Sequence, residues 1–512
     1  MKCTFISPVF FARCLAVSYA LVSTQGCAVG PDYQRPQIDT PAAWTRGADA
    51  TAQTPSASST ADATASAPAQ RDWWLGFGDD QLVALVERAV RATPKARQAA
   101  ARVREARALR AVAAGSLWPR LDAAASYSNS RMSEHGFLEG LGNSLGGGQP
   151  GAVFPGQGIN LYQTGFDAQW ELDLFGHVRR SVQAANAELE AAEAGYQDAL
   201  LSLAAETARE VIELRTFDAR LAIAARNIAS QSDTLGVITQ RYRAGVSSEL
   251  DLSRAQAHLA ATEADVPTLR SRRAATLHRL EVLVAAAPGS LDQQFVGVRE
   301  VTATPRFVDA GLPSQLLLRR PDVGRAEREL AAATARIGVA RAELLPRFSL
   351  SGSFGFQSQE TGNLFTSDSR FWLVGPGMRW PIFDAGRLLA NVEVQNARTE
   401  QAAARYEDAL RSALADVETA LGALADEQVR GAALERAAAA ERRGTDLARE
   451  LFAGGIVEFL QVLDAERSLY HAEDALAASR GAAAEDTVAL YKALAGGWPT
   501  PDEAPSPPSP AR

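Results

Sequence analysis

The sequence has few cysteines and histidines, and their positions leave little room for a metal or catalytic site. The three cysteines are Cys3, Cys14 and Cys27, so the rest of the 512-residue chain has none. The five histidines are scattered and form no HExxH pair, and no GxxxxGK(S/T) phosphate loop occurs. We therefore expect no disulfide framework, no metal, no other cofactor and no enzymatic activity.

Long apolar segments and an excess of positive charge are also missing. No internal run reaches the roughly 18 apolar residues that a membrane-spanning helix needs. The net charge is −8, which gives no reason to expect nucleic acid as a partner. With 46% apolar and 22% charged residues, the composition is that of an ordinary globular chain.

The N-terminus has the pattern of a lipoprotein signal. Residues 1–26 combine a basic start, an apolar stretch and a small-residue end, as a secretory signal peptide does. Cleavage there leaves Cys27 as the first residue, the position that bacterial lipoproteins acylate. A generic signal peptide with a chance cysteine is the alternative. Because Ala28 follows instead of aspartate, we expect an outer-membrane destination, where acyl chains contribute about 0.8 kcal/mol per buried methylene.

A long internal repeat organises the remaining chain. Gly176 returns as Gly386, Gly245 as Gly455 and Leu250 as Leu460, each at an offset of 210 residues. A duplication of this size indicates two copies of one supersecondary unit. We predict the following organisation: a lipidated N-terminus and flexible tether (27–71), a first repeat (72–289), a connector (290–312), a second repeat (313–498) and a disordered tail (499–512).

Each repeat contains two segments in which apolar and polar residues alternate, the pattern of a strand with one wet face. The four predicted strands cover about 120–130, 160–174, 347–357 and 371–383. In the second, Phe166 and Trp170 lie on the face opposite Asp167 and Glu171. Pro376 cannot donate to a ladder, so it predicts a bulge or bend in the fourth strand.

These strands have the length and aromatic ends of tilted transmembrane strands. A soluble sandwich is the alternative, but four strands between very long helices do not make a sandwich core. Four strands cannot close a membrane barrel either, since the smallest barrels have about eight. The strands must therefore come from several chains, and three protomers would supply twelve.

Two helical hairpins follow the strands, over 177–286 and 386–495. Apolar or small residues in the first occur at alternating spacings of four and three, which is typical of a left-handed coiled coil. These residues are Val178, Val182, Ala185, Leu189, Ala192, Tyr196, Ala199 and Leu203. A helix of about 65 residues is on the order of 100 Å long, three times the thickness of a bilayer. The hairpins are predicted to turn at Gly245 and Gly455.

Six motifs in the mature chain resemble those of outer-membrane efflux channels of the TolC/OprM type, in the lipoprotein branch typified by NodT. They are GCAVGPDYQRP (26–36), WWLGFGDDQL (73–82), LLRRPDVGRAE (317–327), WPIFDAGR (380–387), LQVLDAERSLY (460–470) and YKALAGGW (491–498). The resemblance implies a mixed α and β membrane protein. It implies a homotrimer with a 12-stranded transmembrane barrel, four strands per protomer, above a long periplasmic α-helical barrel.

The resemblance also implies partners and a location. The expected partners are a periplasmic adaptor protein, an inner-membrane pump that is driven by protons, and outer-membrane lipid. The protein would reside in the outer membrane, anchored by lipid and extending into the periplasm. It would passively conduct small toxic compounds or drugs to the exterior. The alternatives are a type I protein-secretion conduit and a structural coiled-coil lipoprotein that spans the envelope.

Two groups of residues are candidates for the channel path. The polar strand faces would line the lumen with Asp122, Asp167, Glu171 and Asp173. The resemblance implies a constriction near the hairpin turns, where this sequence has Tyr242, Gly245, Glu249, Asp251, Phe452, Gly455 and Glu458. Solvated or helix-capping acids are the alternative for each carboxylate. Some relatives have a Tyr and Arg pair across this tip, which Phe452 and Val457 cannot form.

Overall fold

The computed structural model describes residues 28–36, 39, 41–45, 72–131, 158–297 and 319–494. The predicted signal peptide, Cys27, the tail, and most of the tether and connector lie outside this part. The chain forms two compact units, and each draws on both sequence repeats. Among the described residues, those within Met1–Arg35, Ala106–Leu189 and Glu329–Ala402 form the strand unit, and those within Pro36–Glu105, Glu190–Arg328 and Ala403–Arg512 form the helical unit.

Four antiparallel strands form one sheet in the strand unit, in the order β1-β2-β3-β4. Their bounds are β1 Arg120–Arg131, β2 Gly158–Leu172, β3 Arg347–Ser358 and β4 Arg370–Arg379. The register brings the apolar faces of the strands together, with Phe166 opposite Phe354 and Phe354 opposite Trp372. The polar faces coincide as well, because Asp167 lies between Asp122 and Ser353. The sheet thus has one apolar face and one face that is polar on β1, β2 and β3, to which β4 contributes Phe371 and Leu373.

The fourth strand differs from its prediction in two ways. It ends at Arg379, so Trp380 and Ile382, which were expected on its apolar face, lie beyond it. The predicted bulge at Pro376 is wrong, since this residue pairs with Leu350 in an unbroken register. A proline leaves a ladder intact where its missing N–H points away from the paired strand, and within the described chain β4 pairs only with β3.

Helices at equivalent positions of the two repeats have nearly the same lengths. The first repeat contains α1 Asp80–Ala92, α2 Pro94–Gly115, α3 His177–Arg243 and α4 Glu249–Leu283; the second contains α5 Pro321–Ala342, α6 Arg387–Ala453 and α7 Phe459–Leu494. The long outgoing helices α3 and α6 have 67 residues each. Within the described parts of the chain, no helix combines enough length with enough apolar residues to cross a bilayer.

The segment after Cys27 is fixed against the strand unit. Val29 N donates to Phe175 O at 3.0 Å. The buried Arg180 guanidinium donates to Val29 O at 3.3 Å and pairs with Asp32 at 2.8 Å. Space is so tight that a Cβ added at Gly176 would lie 2.8 Å from Ala28 Cα. The segment after Cys27 therefore lies against Gly176, four residues after the end of β2.

An apolar core holds the helical unit together around the aromatic motif that opens the first repeat. Trp73, Trp74 and Phe77 form a short 3-10 turn and are buried. Trp73 stacks on Tyr491 with 5.3 Å between ring centroids. The other core members come from α1, α3, α4 and α7, among them Leu82, Val86, Leu203, Ile212, Leu280 and Val488. The motif thus ties the N-terminal part of this unit to its last helix.

Candidate functional site

The polar face of the sheet carries the predicted lumen carboxylates, and most of them are already paired. Asp122 accepts from Arg120 Nε at 3.0 Å. Glu171 lies 3.4 Å from His177 Nδ1. Asp173 follows the end of β2 and accepts from the backbone N–H of Arg179 at 2.9 Å, so it caps the start of α3. Asp167 has no hydrogen-bond or ion-pair partner within the described residues.

Both hairpins turn through a glycine with a left-handed backbone, as predicted. The φ angle is 76° at Gly245 and 71° at Gly455, a region that residues with a Cβ rarely adopt. The glycine N–H groups bond back to Tyr242 O at 2.9 Å and to Phe452 O at 3.0 Å. The same motif therefore closes both outgoing helices.

The first tip is polar, and one of its two acids caps a helix. Ser248 Oγ accepts from Asp251 N at 3.1 Å, while Asp251 Oδ2 accepts from Ser248 N at 3.2 Å. This reciprocal pair is a capping box at the start of α4. Glu249 and Tyr242 are exposed beside it. Asp251 therefore has a structural role, which was one of the two alternatives for this residue.

The second tip is packed rather than polar. Phe452 lies against Phe459, with 5.5 Å between ring centroids. The Arg241 guanidinium from the first hairpin sits 4.6 Å from the centre of the Phe452 ring, which is a cation–π contact. Glu458 is exposed. The ring of Phe452 thus links the two hairpins. The Tyr and Arg pair named in the sequence analysis cannot form with this residue, because phenylalanine has no hydroxyl group.

An ion pair above the tips, in which Glu466 is buried and Arg449 is partly exposed, joins three helices, and the sequence analysis missed it. Arg449 of α6 donates to Glu466 Oε1 of α7 at 2.8 Å and also bonds Ser230 Oγ of α3. The same Glu466 oxygen accepts from Thr234 of α3 at 2.9 Å. The Glu466 side chain is 2% exposed. A signal was present, because Glu466 falls in the apolar stripe of Phe459, Val462 and Tyr470.

Polar atoms near this ion pair are buried without partners in the described chain. They are the amide atoms of Gln231, Nε2 of His258 and Oε2 of Glu466. Burial lowers the pKa of His258, against the attraction of the Glu466 carboxylate. No set of three or more His, Cys, Asp or Glu side chains within the described ranges could hold a metal ion.

An exposed stripe on α7 contains two further candidates that the sequence analysis did not select. Leu460 is 49% exposed at the start of the helix, and the exposed Asp464 follows one turn later. Both lie opposite the buried stripe that includes Val462 and Glu466. Their spacing of four residues on a helix that begins at a tip was the available signal.

Comparison with known proteins identifies a family model for most of the chain. The model described as "Outer membrane efflux protein" matches residues 85–286 and 312–496.

Individual relatives match over nearly their full lengths. The solvent efflux pump outer membrane protein SrpC of Pseudomonas putida is 31% identical over 94% of this chain and 97% of its own. Nodulation protein T of Rhizobium leguminosarum bv. trifolii is 28% identical over 92% of this chain and 93% of its own. The solved outer-membrane channel OprN superposes with a TM-score of 0.80, at 36% identity, over 92% of this chain and 100% of that one. These matches confirm the resemblance seen in the sequence.

Proposed function

This chain belongs to the outer membrane efflux protein family, and from that premise we propose that it is the passive conduit of a three-part efflux system. In this proposal three copies form a channel through which small toxic compounds or drugs leave the cell. The observation that carries the proposal is the two-faced sheet: its apolar face runs in register across all four strands, and its other face is polar on β1, β2 and β3 and carries Phe371 and Leu373 on β4. A face that is apolar over a full strand length suits lipid, and the polar face suits a water-filled lumen.

The edges of the sheet support assembly from several chains. Strands β1 and β4 each have one neighbour in the described chain, so one side of each lacks a ladder partner. Within a bilayer every unpaired N–H and C=O group costs several kcal/mol. Pairing β4 of one protomer with β1 of the next removes these edges, and three protomers close a ring of about twelve strands.

The N-terminal segment supports a lipid anchor at Cys27. Ala28, the next residue, lies against Gly176, four residues after β2 ends. An acyl chain on the preceding residue would therefore lie near the end of the sheet at which β2 leads into α3. Replacing Cys27 with serine should abolish incorporation of labelled palmitate, whereas serine at Cys3 or Cys14 should leave it unchanged. Equal labelling of the Cys27→Ser variant would overturn the anchor.

The two hairpin tips are proposed as the gate at the periplasmic end and as the docking region for an adaptor protein. In this proposal the constriction involves Tyr242, Glu249, Asp251, Phe452 and Glu458 beside the turns at Gly245 and Gly455, together with the exposed Leu460 and Asp464 of α7. Symmetry copies of each carboxylate would repel one another when closer than a Debye length of about 8 Å. An inner-membrane pump, driven by protons, would load the channel. Conduction rather than catalysis is the proposed activity.

A structural envelope-spanning lipoprotein would also have long helical hairpins. Its function would not require a two-faced sheet with unpaired edge strands. A type I secretion conduit would share every feature described above. A strain that lacks this protein should become sensitive to small toxic compounds while still secreting proteins normally. The opposite phenotype would favour the secretion conduit.

The decisive experiment is single-channel recording of the purified lipoprotein in planar bilayers, with its mass measured in detergent. Trimers that give discrete conductance steps are the expected result. Monomers that give no conductance at any voltage would overturn the barrel and favour the structural lipoprotein.

A further inference from the structure

Asp167 is unusual among the carboxylates on the polar face of the sheet. Its neighbours Asp122 and Asp173 each have an N–H partner within 3.5 Å, and Glu171 has an imidazole nitrogen, His177 Nδ1, at 3.4 Å. Asp167 has neither within the described residues, although it lies directly opposite Asp122 on the adjacent strand. Because Arg120 already compensates Asp122, the charge of Asp167 is the one that remains for another partner.

An aromatic ring on the same face lies beside this carboxylate. Phe371 of β4 shares its face with Leu373, which belongs to the same cross-strand row as Asp167. The ring reaches over Gly355, since a Cβ there would lie 3.1 Å from Phe371 Cε1. A Cβ at Gly165 would in turn lie 2.9 Å from Gly355 Cα. The two opposed glycines therefore leave the backbone uncovered by side chains under the ring, and this stretch of backbone is the floor of a hollow.

Asp167 and Phe371 line the same small hollow above this floor, of about 30 Å³. The other lining residues are Ala124, Ser126, Gln163, Gly165 and Phe166. Apart from Asp167, none of these side chains carries a charge. The hollow can hold the end of a group but not a whole molecule, and it opens on the polar face. A molecule bound here must project most of its body into the space that this face lines.

We propose that Asp167 and Phe371 form a contact site for amphiphilic cations inside the channel. The carboxylate attracts the ammonium group, and the ring and Leu373 contact the apolar part of the same molecule. A cationic group over a phenyl face gains a cation–π attraction as well. The site rests on the proposed function, because it requires that the polar face lines the lumen.

The combination selects for a class of substrate. A small hydrophilic cation would gain only the carboxylate, in water that screens the attraction. A neutral apolar molecule would gain only the ring and the leucine. An organic amine with an aromatic or aliphatic body gains both, and a trimer offers the site three times around one lumen.

The test is block of single-channel current by tetraphenylphosphonium, added on the side of the bilayer opposite the hairpin tips. Asp167→Asn and Phe371→Ser should each weaken the block about tenfold, and Phe371→Tyr should restore most of it. Phe371→Ser should weaken block by tetramethylammonium less than block by tetraphenylphosphonium, because tetramethylammonium has only the cation–π attraction and no large apolar body for the ring to contact. The matched control is Trp372→Ser, because Trp372 is the next residue, is 76% exposed and lies on the opposite face.

A second measurement does not require an open channel. Binding of a fluorescent rhodamine cation to the full-length protein in lipid nanodiscs should show the same order of variants by polarisation, and an anionic fluorescein should not bind. Variants that form conducting trimers but block and bind like the wild type would overturn the site and leave the proposed function intact. Absence of any conductance and of trimers in the wild type would instead overturn the proposed function and the site together.

Discussion

The two hairpins share a backbone but differ at their tips. Both outgoing helices have 67 residues and both turns use a left-handed glycine. Where the first hairpin has the exposed Tyr242 and Glu249, the second has Phe452 and Phe459 in contact. The return helices differ too, with seven buried residues on α4 and twelve on the similarly long α7. Duplication has kept the geometry of the turn, while the side chains have diverged into a polar hairpin and a packed one.

This difference indicates that the second hairpin depends more on its neighbours. Its buried stripe contacts α3 of the first repeat, both in the apolar cluster of Ile238, Ala255, Phe459 and Val462 and through the Arg449–Glu466 pair. In the first hairpin, a capping box stabilises the start of the return helix α4 instead. Equivalent substitutions in the two repeats should therefore have unequal effects.

The largest difference is expected where α7 approaches α3 most closely. A Cβ at Gly481 would lie 3.0 Å from Thr216 Cβ and 2.8 Å from Thr216 Cγ2, so a rotamer change cannot make room. Gly481→Leu should cost about 3 kcal/mol or prevent folding. The equivalent residue of the first repeat, Ser271, is exposed, and Ser271→Leu should change stability by less than about 0.5 kcal/mol. Thermal unfolding of both variants checks this, and equal melting temperatures would contradict it.

Phe459 and Glu249 occupy equivalent positions, and truncating each should sharpen the contrast between the tips. Phe459 is 3% exposed within the apolar cluster above the turn. Phe459→Ala should cost about 3 kcal/mol, confined to the tip, and should raise the conductance of the reconstituted channel. Glu249→Ala should leave stability within about 0.5 kcal/mol. Hydrogen exchange of the two hairpins measures the local loss, and faster exchange that appears only away from the tips would count against the assignment.

Removal of Arg449 tests the ion pair that the second hairpin has and the first lacks. Arg449→Met leaves the Glu466 carboxylate buried with Thr234 as its remaining partner, and the expected cost is about 2 kcal/mol. The equivalent residues of the first hairpin are Thr239 and Gln256, so Gln256→Ala is the matched control.

A double variant shows whether the cost is due to the pair. Arg449→Met combined with Glu466→Gln should be more stable than Arg449→Met alone, because no uncompensated charge remains. Denaturant unfolding of the wild type, the two single variants and the double variant gives the four free energies of unfolding. If the two single losses simply add, Arg449 and Glu466 are not coupled and the link between the hairpins does not depend on their charges.

The sequence predicted the backbone better than it predicted the contacts. Period-two alternation placed four strands and their faces, and the glycine spacing placed both turns, because these signals depend on local conformation. Pro376 was misread as a bulge, since the pattern of a single strand does not reveal on which side the missing N–H of a proline will lie. The Arg449–Glu466 pair and the contact of Arg241 with Phe452 join residues more than a dozen positions apart. Such pairs depend on helix rotation, which the sequence pattern leaves open.

The smallest effect is expected at the capping box, and it separates the two roles considered for the first tip. Asp251→Ala removes the acceptor for Ser248 N–H and should cost about 1 kcal/mol, confined to the first turn of α4. Glu249→Gln removes a charge without touching the cap. If the acids form the gate, neutralising both should raise conductance in planar bilayers more than Asp251→Ala does. If conductance instead follows helix fraying, Asp251→Ala alone should reproduce the double variant, and Ser248→Ala, which keeps both charges, should do the same. Conductance that none of these substitutions changes would show that the first tip does not gate, and would assign the constriction to the second.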